Sequence, residues 1–121
     1  MLEAIDVVIR KIGSYDTTTV RASVGNYLVC KAAKEDRKAI YIFNGDGADE
    51  VMGGYLYFHK APNATEFDIE CKRLLADISK YDVLRSDRSI AGNGLAPRTP
   101  FLDTKFVDTY MNIPANVRFE A

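Results

Sequence analysis

Three acids lie close together in the run Asn44-Gly45-Asp46-Gly47-Ala48-Asp49-Glu50. Gly45 and Gly47 let a backbone turn tightly and approach a ligand closely. Free N–H groups at a helix start suit phosphate, but Asp46, Asp49 and Glu50 would repel it bare. Carboxylates beside a phosphate site imply Mg²⁺ between the two charges. A simpler reading stands beside this one, in which acids in a helix's first turn only complement its dipole. A calcium-binding EF-hand loop is excluded. Counted from Asn44, the third ligand position is Ala48, the required glycine is Asp49 and the closing glutamate is Tyr55.

A second group, Thr17-Thr18-Thr19-Val20-Arg21, offers hydroxyls and one guanidinium at a helix start. Those groups can bind pyrophosphate, or cap the helix while the arginine stays in water. Arg85, Arg88 and Arg98 alternate with Asp82, Asp87 and Asp103, as a buried ion-pair network or as a solvated face. The one histidine, His59, stands among aromatics and reads as packed and hydrogen-bonded. No Ser-His-Asp or Cys-His set emerges, because neither Cys30 nor Cys71 has a motif around it. One histidine and two distant cysteines also exclude a structural zinc site.

The elements that must position these residues are mostly helical. Leu2, Ile5, Val8, Ile9 and Ile12 recur at helical spacing, and Gly13 ends that helix. Asp16 or Thr17 caps a second helix with Val20, Val24, Tyr27 and Leu28 on its apolar face. Lys34 to Lys38 reads as a surface turn. Ala39 to Phe43 is a continuous apolar run, the pattern of a strand buried on both faces in a parallel sheet. A short helix through Val51 and Met52 should follow the acidic loop and stop at Gly53-Gly54. Asn63 with Glu66 forms a capping box for a helix burying Phe67, Cys71, Leu74, Leu75 and Ile78. A short helix over Asp82 to Ile90 is followed by a loop through Gly92-Asn93-Gly94 and Pro97 to Pro100. Asp103 then caps a last helix, with Phe106, Val107, Tyr110 and Met111 inward, ending before Pro114. This inventory holds one convincing strand, and a lone strand cannot satisfy its own backbone groups. The chain therefore reads as an excerpt of a larger α/β domain.

Composition bounds the rest. At 121 residues and 13.5 kDa, the chain is one domain or a piece of one. Hydrophobic residues at 47% exclude a disordered class. A net charge of −1 lacks the basic footprint of a nucleic-acid binder. No apolar run approaches the roughly 18 residues of a membrane span, and Glu3 and Asp6 interrupt any signal peptide. A reduced, cytoplasmic protein is expected, with both thiols as small core residues.

From Gly45 onward the sequence resembles the synthetase domain of the glutamine-hydrolysing asparagine synthetases. That family carries Ser-Gly-Glu-Gly-Ser-Asp-Glu, then Gly-Gly-Tyr-x-Tyr-Phe-His-Lys-Ala-Pro, and Gly53 to Pro62 match the second motif in full. Tyr15 to Ser23 resemble its Tyr-Asp-x-Thr-Thr-x-Arg-Ala-Ser, and Tyr81 to Arg85 and Pro100 to Asp103 match further runs. The resemblance extends from about Ile5 to Phe119. It implies synthesis of asparagine from aspartate, ATP and glutamine. A glutaminase domain would release ammonia, and the second domain would use Mg-ATP to form β-aspartyl-AMP with loss of pyrophosphate. The implied fold is an α/β fragment of an ATP-pyrophosphatase (adenine nucleotide alpha hydrolase-like) domain, mostly helical with one buried parallel-type strand. Residues 1–121 would form part of it, the glutaminase domain and the phosphate-gripping Ser-Gly-Gly-x-Asp-Ser loop lying outside the sequence. The resemblance assigns Asn44 and Gly45 to ATP contact, Asp46 to the aspartyl-AMP step and Asp49 to Mg²⁺. Thr18, Thr19 and Arg21 fall on a set near the phosphates. Asn44 replaces the family's Ser, Asp46 its Glu, Ala48 its Ser and Thr99 its Val. Asp46 keeps the charge on a shorter arm, which can act through a water. The resemblance leaves open a related AMP-forming amide ligase, such as a β-lactam synthetase relative, or a non-catalytic interaction fragment.

Overall fold

Caps set the helix boundaries. In the computed structural model, which describes residues 2–119, a short 3₁₀ turn leads into α1 (Ile5–Ile12). Gly13 ends α1 in the left-handed region at φ 66°, its N–H on the Ile9 carbonyl at 2.9 Å. The side chain of Leu2, expected on the α1 face, lies outside the described residues. Asp16 starts α2 (Thr17–Arg37) by accepting from the Thr19 N–H at 2.7 Å. The expected surface turn at Lys34 is instead helix, and α2 runs for 21 residues. Glu35 faces Lys31 one turn back at 4.0 Å, so this charged stretch is a helix's solvated side. The helix stops only at Lys38, which adopts φ 53°.

The chain forms two compact units. The first comprises Met1–Asn44 and Lys80–Arg98. There α1, α2 and α5 (Asp82–Ala91) pack together around Val8, Ile12, Val20, Val24 and Tyr27. Arg88 donates to the Ile12 carbonyl at the end of α1, where a cation also complements the helix dipole. The Asn93 amide ties the Tyr27 and Ser89 carbonyls at 3.1 and 2.9 Å.

β1 (Tyr41–Phe43) has the parallel neighbour that the sequence reading denied it, β2 (Ala96–Arg98), with Ile42 opposite Pro97. A three-residue strand containing proline carries too little pattern to be told from a loop. The ladder explains the tolerance of Pro97. Ala96 N–H donates to the Ile40 carbonyl at 2.9 Å, and Asn44 N–H to the Arg98 carbonyl at 3.0 Å. Residues 96 and 98 therefore face β1, while Pro97, with no N–H to give, points away. The burial of β1 also departs from expectation. Ile42 is partly covered beside Cys30, Ile90 and Leu95, but Tyr41 and Phe43 are 53% and 75% exposed. The apolar run suits two covered faces, and within this unit only the Ile42 face has a layer on it.

The second unit comprises Gly45–Ser79 and Thr99–Ala121. It holds α3 (Ala48–Met52), α4 (Ala64–Asp77), α6 (Thr104–Met111) and α7 (Ala115–Arg118). Asn63 caps α4 through the Glu66 N–H at 3.0 Å, and Asp103 caps α6 through Lys105 and Phe106. The last helix is thus not α6, because Pro114 starts one further turn. Phe58, Phe67 and Cys71 are buried with Tyr55, Leu74, Met111 and Phe119 packed around them. Phe58 meets Phe67 edge-on at 5.2 Å between centroids. Arg118 pairs with Asp68 and lies over the rings of Phe67 and Tyr110 at 5.9 and 5.7 Å. The hydrogen bond from Lys72, and after it the one from Arg118, hold the Asp68 carboxyl below its usual range.

Cys30 and Cys71 are buried free thiols, as expected. Burial pushes both up, Cys71 to about 11, so neither is a ready nucleophile. The Arg85, Arg88 and Arg98 series is no buried network. Arg85 pairs with Asp82 on its own helix, Arg88 caps α1, and Arg98 stacks over the Tyr41 ring at 4.7 Å. No described helix is long and apolar enough to cross a membrane.

Candidate functional site

The acidic loop follows directly on the C-terminal end of β1, the edge where ligands bind in open α/β sheets. Asn44, half-buried, ends the first unit, and Gly45, exposed, opens the second. Ala48 N–H closes a turn on the Gly45 carbonyl at 3.2 Å. Gly47, at φ 91°, is the N-cap of α3 and is buried. A Cβ there would sit inside the Leu102 side chain, so both conformation and packing demand glycine. Asp46 is half-buried and Asp49 exposed.

Glu50, in contrast, points inward and is 5% exposed. The Tyr55 hydroxyl donates to its Oε1. Desolvation and this carboxylate push the Tyr55 phenol far above its usual value, keeping the hydroxyl a donor. The Tyr55 ring is stacked with Tyr57 and Phe58 at 5.9 and 6.5 Å. The spacing of the three acids does not distinguish them, and the fold sets Glu50, a buried anchor, apart from Asp46 and Asp49. Nothing in the spacing marks Tyr55, beyond a Gly-Gly break, as the partner of a helical acid, so only the fold reveals this pair. His59, expected to be packed, is exposed, since its 3₁₀ helix Leu56–Lys60 buries only Phe58.

In the first unit, Thr18, Thr19 and Arg21 share the opening of α2. Thr18 and Arg21 are exposed and Thr19 half-buried. The Asp16 carboxylate already holds the Thr19 N–H, and that bond keeps its carboxyl below the usual range. An anion here would meet a competing acid at the backbone amides. The Thr18 hydroxyl and the Arg21 guanidinium remain as its natural contacts. Arg21 also borders a groove of about 450 Å³ floored by Ile5, Ile9, Val20 and Val24.

The family model for asparagine synthase matches residues 1–71 and 60–121. The chain belongs to the asparagine synthase family. It is 46% identical over 117 residues to the glutamine-hydrolysing asparagine synthetase of Gallus gallus, 45% to that of Homo sapiens and 44% to that of Rattus norvegicus. Each match covers 97% of this chain and 21% of the relative, so the chain spans about a fifth of the length of these synthetases. As a piece of an asparagine synthase domain, the chain is mostly helical with a short two-stranded parallel sheet.

Proposed function

We propose that this chain is part of a glutamine-dependent asparagine synthetase, an ATP-dependent carbon–nitrogen ligase that amidates aspartate through β-aspartyl-AMP, with release of pyrophosphate and then AMP. Ammonia comes from glutamine, hydrolysed in a glutaminase domain elsewhere in the longer protein, and the work is done in the cytoplasm. The ATP-pyrophosphatase fold assignment belongs to the same reading, supported by a parallel β1–β2 pair whose C-terminal end feeds a ligand-type loop.

The observation that carries this reading is that loop, in which a left-handed, buried Gly47 turns the chain from β1 into α3 and leaves Asp49 in solvent. Asn44 and Gly45 contact ATP, and Asp46 acts at the aspartyl-AMP step. Thr18, Thr19 and Arg21 hold the leaving pyrophosphate, with the guanidinium supplying charge and the hydroxyls supplying donors.

Among the described residues no group of three or more His, Cys, Asp or Glu side chains could hold a metal ion. Mg²⁺ bound through one or two carboxylates and completed by substrate phosphates needs no such all-protein cage, and the exposed Asp49 carboxylate is of the oxygen-donor type it takes. Asp49 would hold it. When bound, Mg²⁺ neutralises charge that develops on the departing pyrophosphate. The 121-residue chain alone, which does not contain the Ser-Gly-Gly-x-Asp-Ser loop, releases no pyrophosphate from ATP on this reading.

The test is Asp46→Asn in a full-length synthetase carrying this segment. ATP-dependent asparagine formation should fall by roughly 10²–10⁴-fold, the range for a lost acid–base group, while glutamine hydrolysis continues. Asp46→Glu should retain much more activity. Near-normal synthesis by Asp46→Asn removes Asp46 from the mechanism.

A further inference from the structure

Two adjacent glycines, Gly53 and Gly54, follow α3, and they are glycine for different reasons. Gly53 is the C-cap, at φ 69°, where a side chain would be strained and would also collide with the Phe67 ring. Gly54 does not adopt a left-handed conformation. What stands in the way of a side chain there is Asp49. A Cβ on Gly54 would overlap Asp49 Oδ1, and would lie 3.1 Å from its Cγ and 3.3 Å from its Cα. The Asp49 carboxylate therefore rests against the bare Cα of Gly54.

The turn that brings these residues together is held at two consecutive rungs. Gly54 N–H donates to the Asp49 carbonyl at 2.9 Å. The next residue, Tyr55, donates its hydroxyl to Glu50, the residue after Asp49. Glu50 is buried and the Tyr55 ring is packed against the Phe58 cluster, so the turn is anchored in the core while Asp49 stays exposed. The atom that a methyl group would strike first is the end of a movable side chain. A methyl group at Gly54 would therefore displace the Asp49 carboxylate first, and would also press on the Asp49 backbone Cα at 3.3 Å, so the turn gives by a few tenths of an ångström while the carboxylate loses its place.

We propose that Gly54 is a positioning residue for the Asp49 carboxylate, the empty space at its Cα being what lets Asp49 present its oxygens to a divalent cation. The inference rests on the reading of Asp49 as the Mg²⁺ ligand. Its role resembles that of outer groups that orient a ligand without touching the metal, whose loss typically costs about 10–100-fold in affinity.

The experiment is an Mn²⁺ titration of the full-length synthetase with ATP and no aspartate, free ion being followed by paramagnetic resonance. Wild type, Asp49→Asn and Gly54→Ala are compared, with thermal unfolding measured on each. The expected result is that both variants weaken Mn²⁺ binding, Gly54→Ala by about 10–100-fold, with melting temperatures close to wild type. If Asp49→Asn weakens binding and Gly54→Ala does not, the positioning role is overturned while Asp49 stays a ligand. If Asp49→Asn leaves binding unchanged, the ligand reading fails and the inference falls with it. A Gly54→Ala protein that does not fold also overturns it, because the methyl group is then rejected by backbone rather than by the carboxylate.

Discussion

The two units bury different chemistry. The first closes an aliphatic seam between helices, with Val8, Ile12, Val20 and Val24 at its centre, and leaves Tyr41 and Phe43 of its sheet in solvent. The second is built on aromatic rings and encloses a charged group, since the Arg118 side chain is 2% exposed and is matched by Asp68. Helix seams tolerate small changes of volume, because neighbouring aliphatic groups can partly relax into the space. A core that wraps a guanidinium cannot relax in that way. Removing the carboxylate beside it leaves a buried charge without its counter-ion, and removing the ring beneath it opens a cavity. The second unit should therefore be the more brittle one, and that contrast can be tested.

The largest effect is expected at Phe67, which touches Phe58, Phe119, the Gly53 turn and Arg118. Phe67→Ala should cost about 4 kcal/mol in denaturant unfolding, against about 2 kcal/mol for the matching truncation Ile12→Ala in the aliphatic seam. Equal costs would erase the contrast.

Next comes Asp68. Asp68→Asn should destabilise by roughly 3 kcal/mol, because it strands a buried guanidinium. The pH dependence gives a second readout. The folded carboxyl is depressed below its unfolded value of about 3.9, so the unfolded state binds the proton more readily. The stabilisation that Lys72 and Arg118 give the carboxylate is present above that value and is lost as pH falls through the lower folded value. Stability measured between pH 2 and pH 6 should decline toward the acid end in wild type, and less steeply in Asp68→Asn. Identical acid limbs would sink the assignment.

The smallest effect belongs to the first unit. Lys38 is the one positive-φ residue other than glycine among the described residues. A left-handed conformation costs an L-residue about 1–2 kcal/mol, and glycine avoids it. Lys38→Gly should raise stability by about 1 kcal/mol or less once glycine's extra chain entropy is counted. A lower melting temperature for that variant would mean the lysine side chain compensates elsewhere.

Much of the fold could be read from polar punctuation. Gly13, Asn63 and Asp103 each stop or start a helix where predicted, and of the two caps open to the second helix the fold uses Asp16, because a cap is a local event with one donor and one acceptor. The acidic loop was legible for the same reason, as glycines and acids bounded by an apolar run. Tertiary matters were not. Lys34 to Arg37 looked like a turn because charge on a helix's outer face and charge in a loop have the same composition. Pro97 hid β2, whose existence depends on β1 being in reach. The inward course of Glu50 depends on a tyrosine that the chain must double back to supply. Gly54 could be seen as a glycine, but only the position of Asp49 gives it a purpose.

Pro97 gives the small sheet a polarity. Growth of a sheet needs N–H and C=O groups facing outward in register, and β2 offers proline at its outward-facing central position. At β1 the outward-facing residues are Tyr41 and Phe43, both with ordinary amides and both with exposed rings. The open edge of β1 thus keeps its full set of backbone donors, and that of β2 lacks one at its centre.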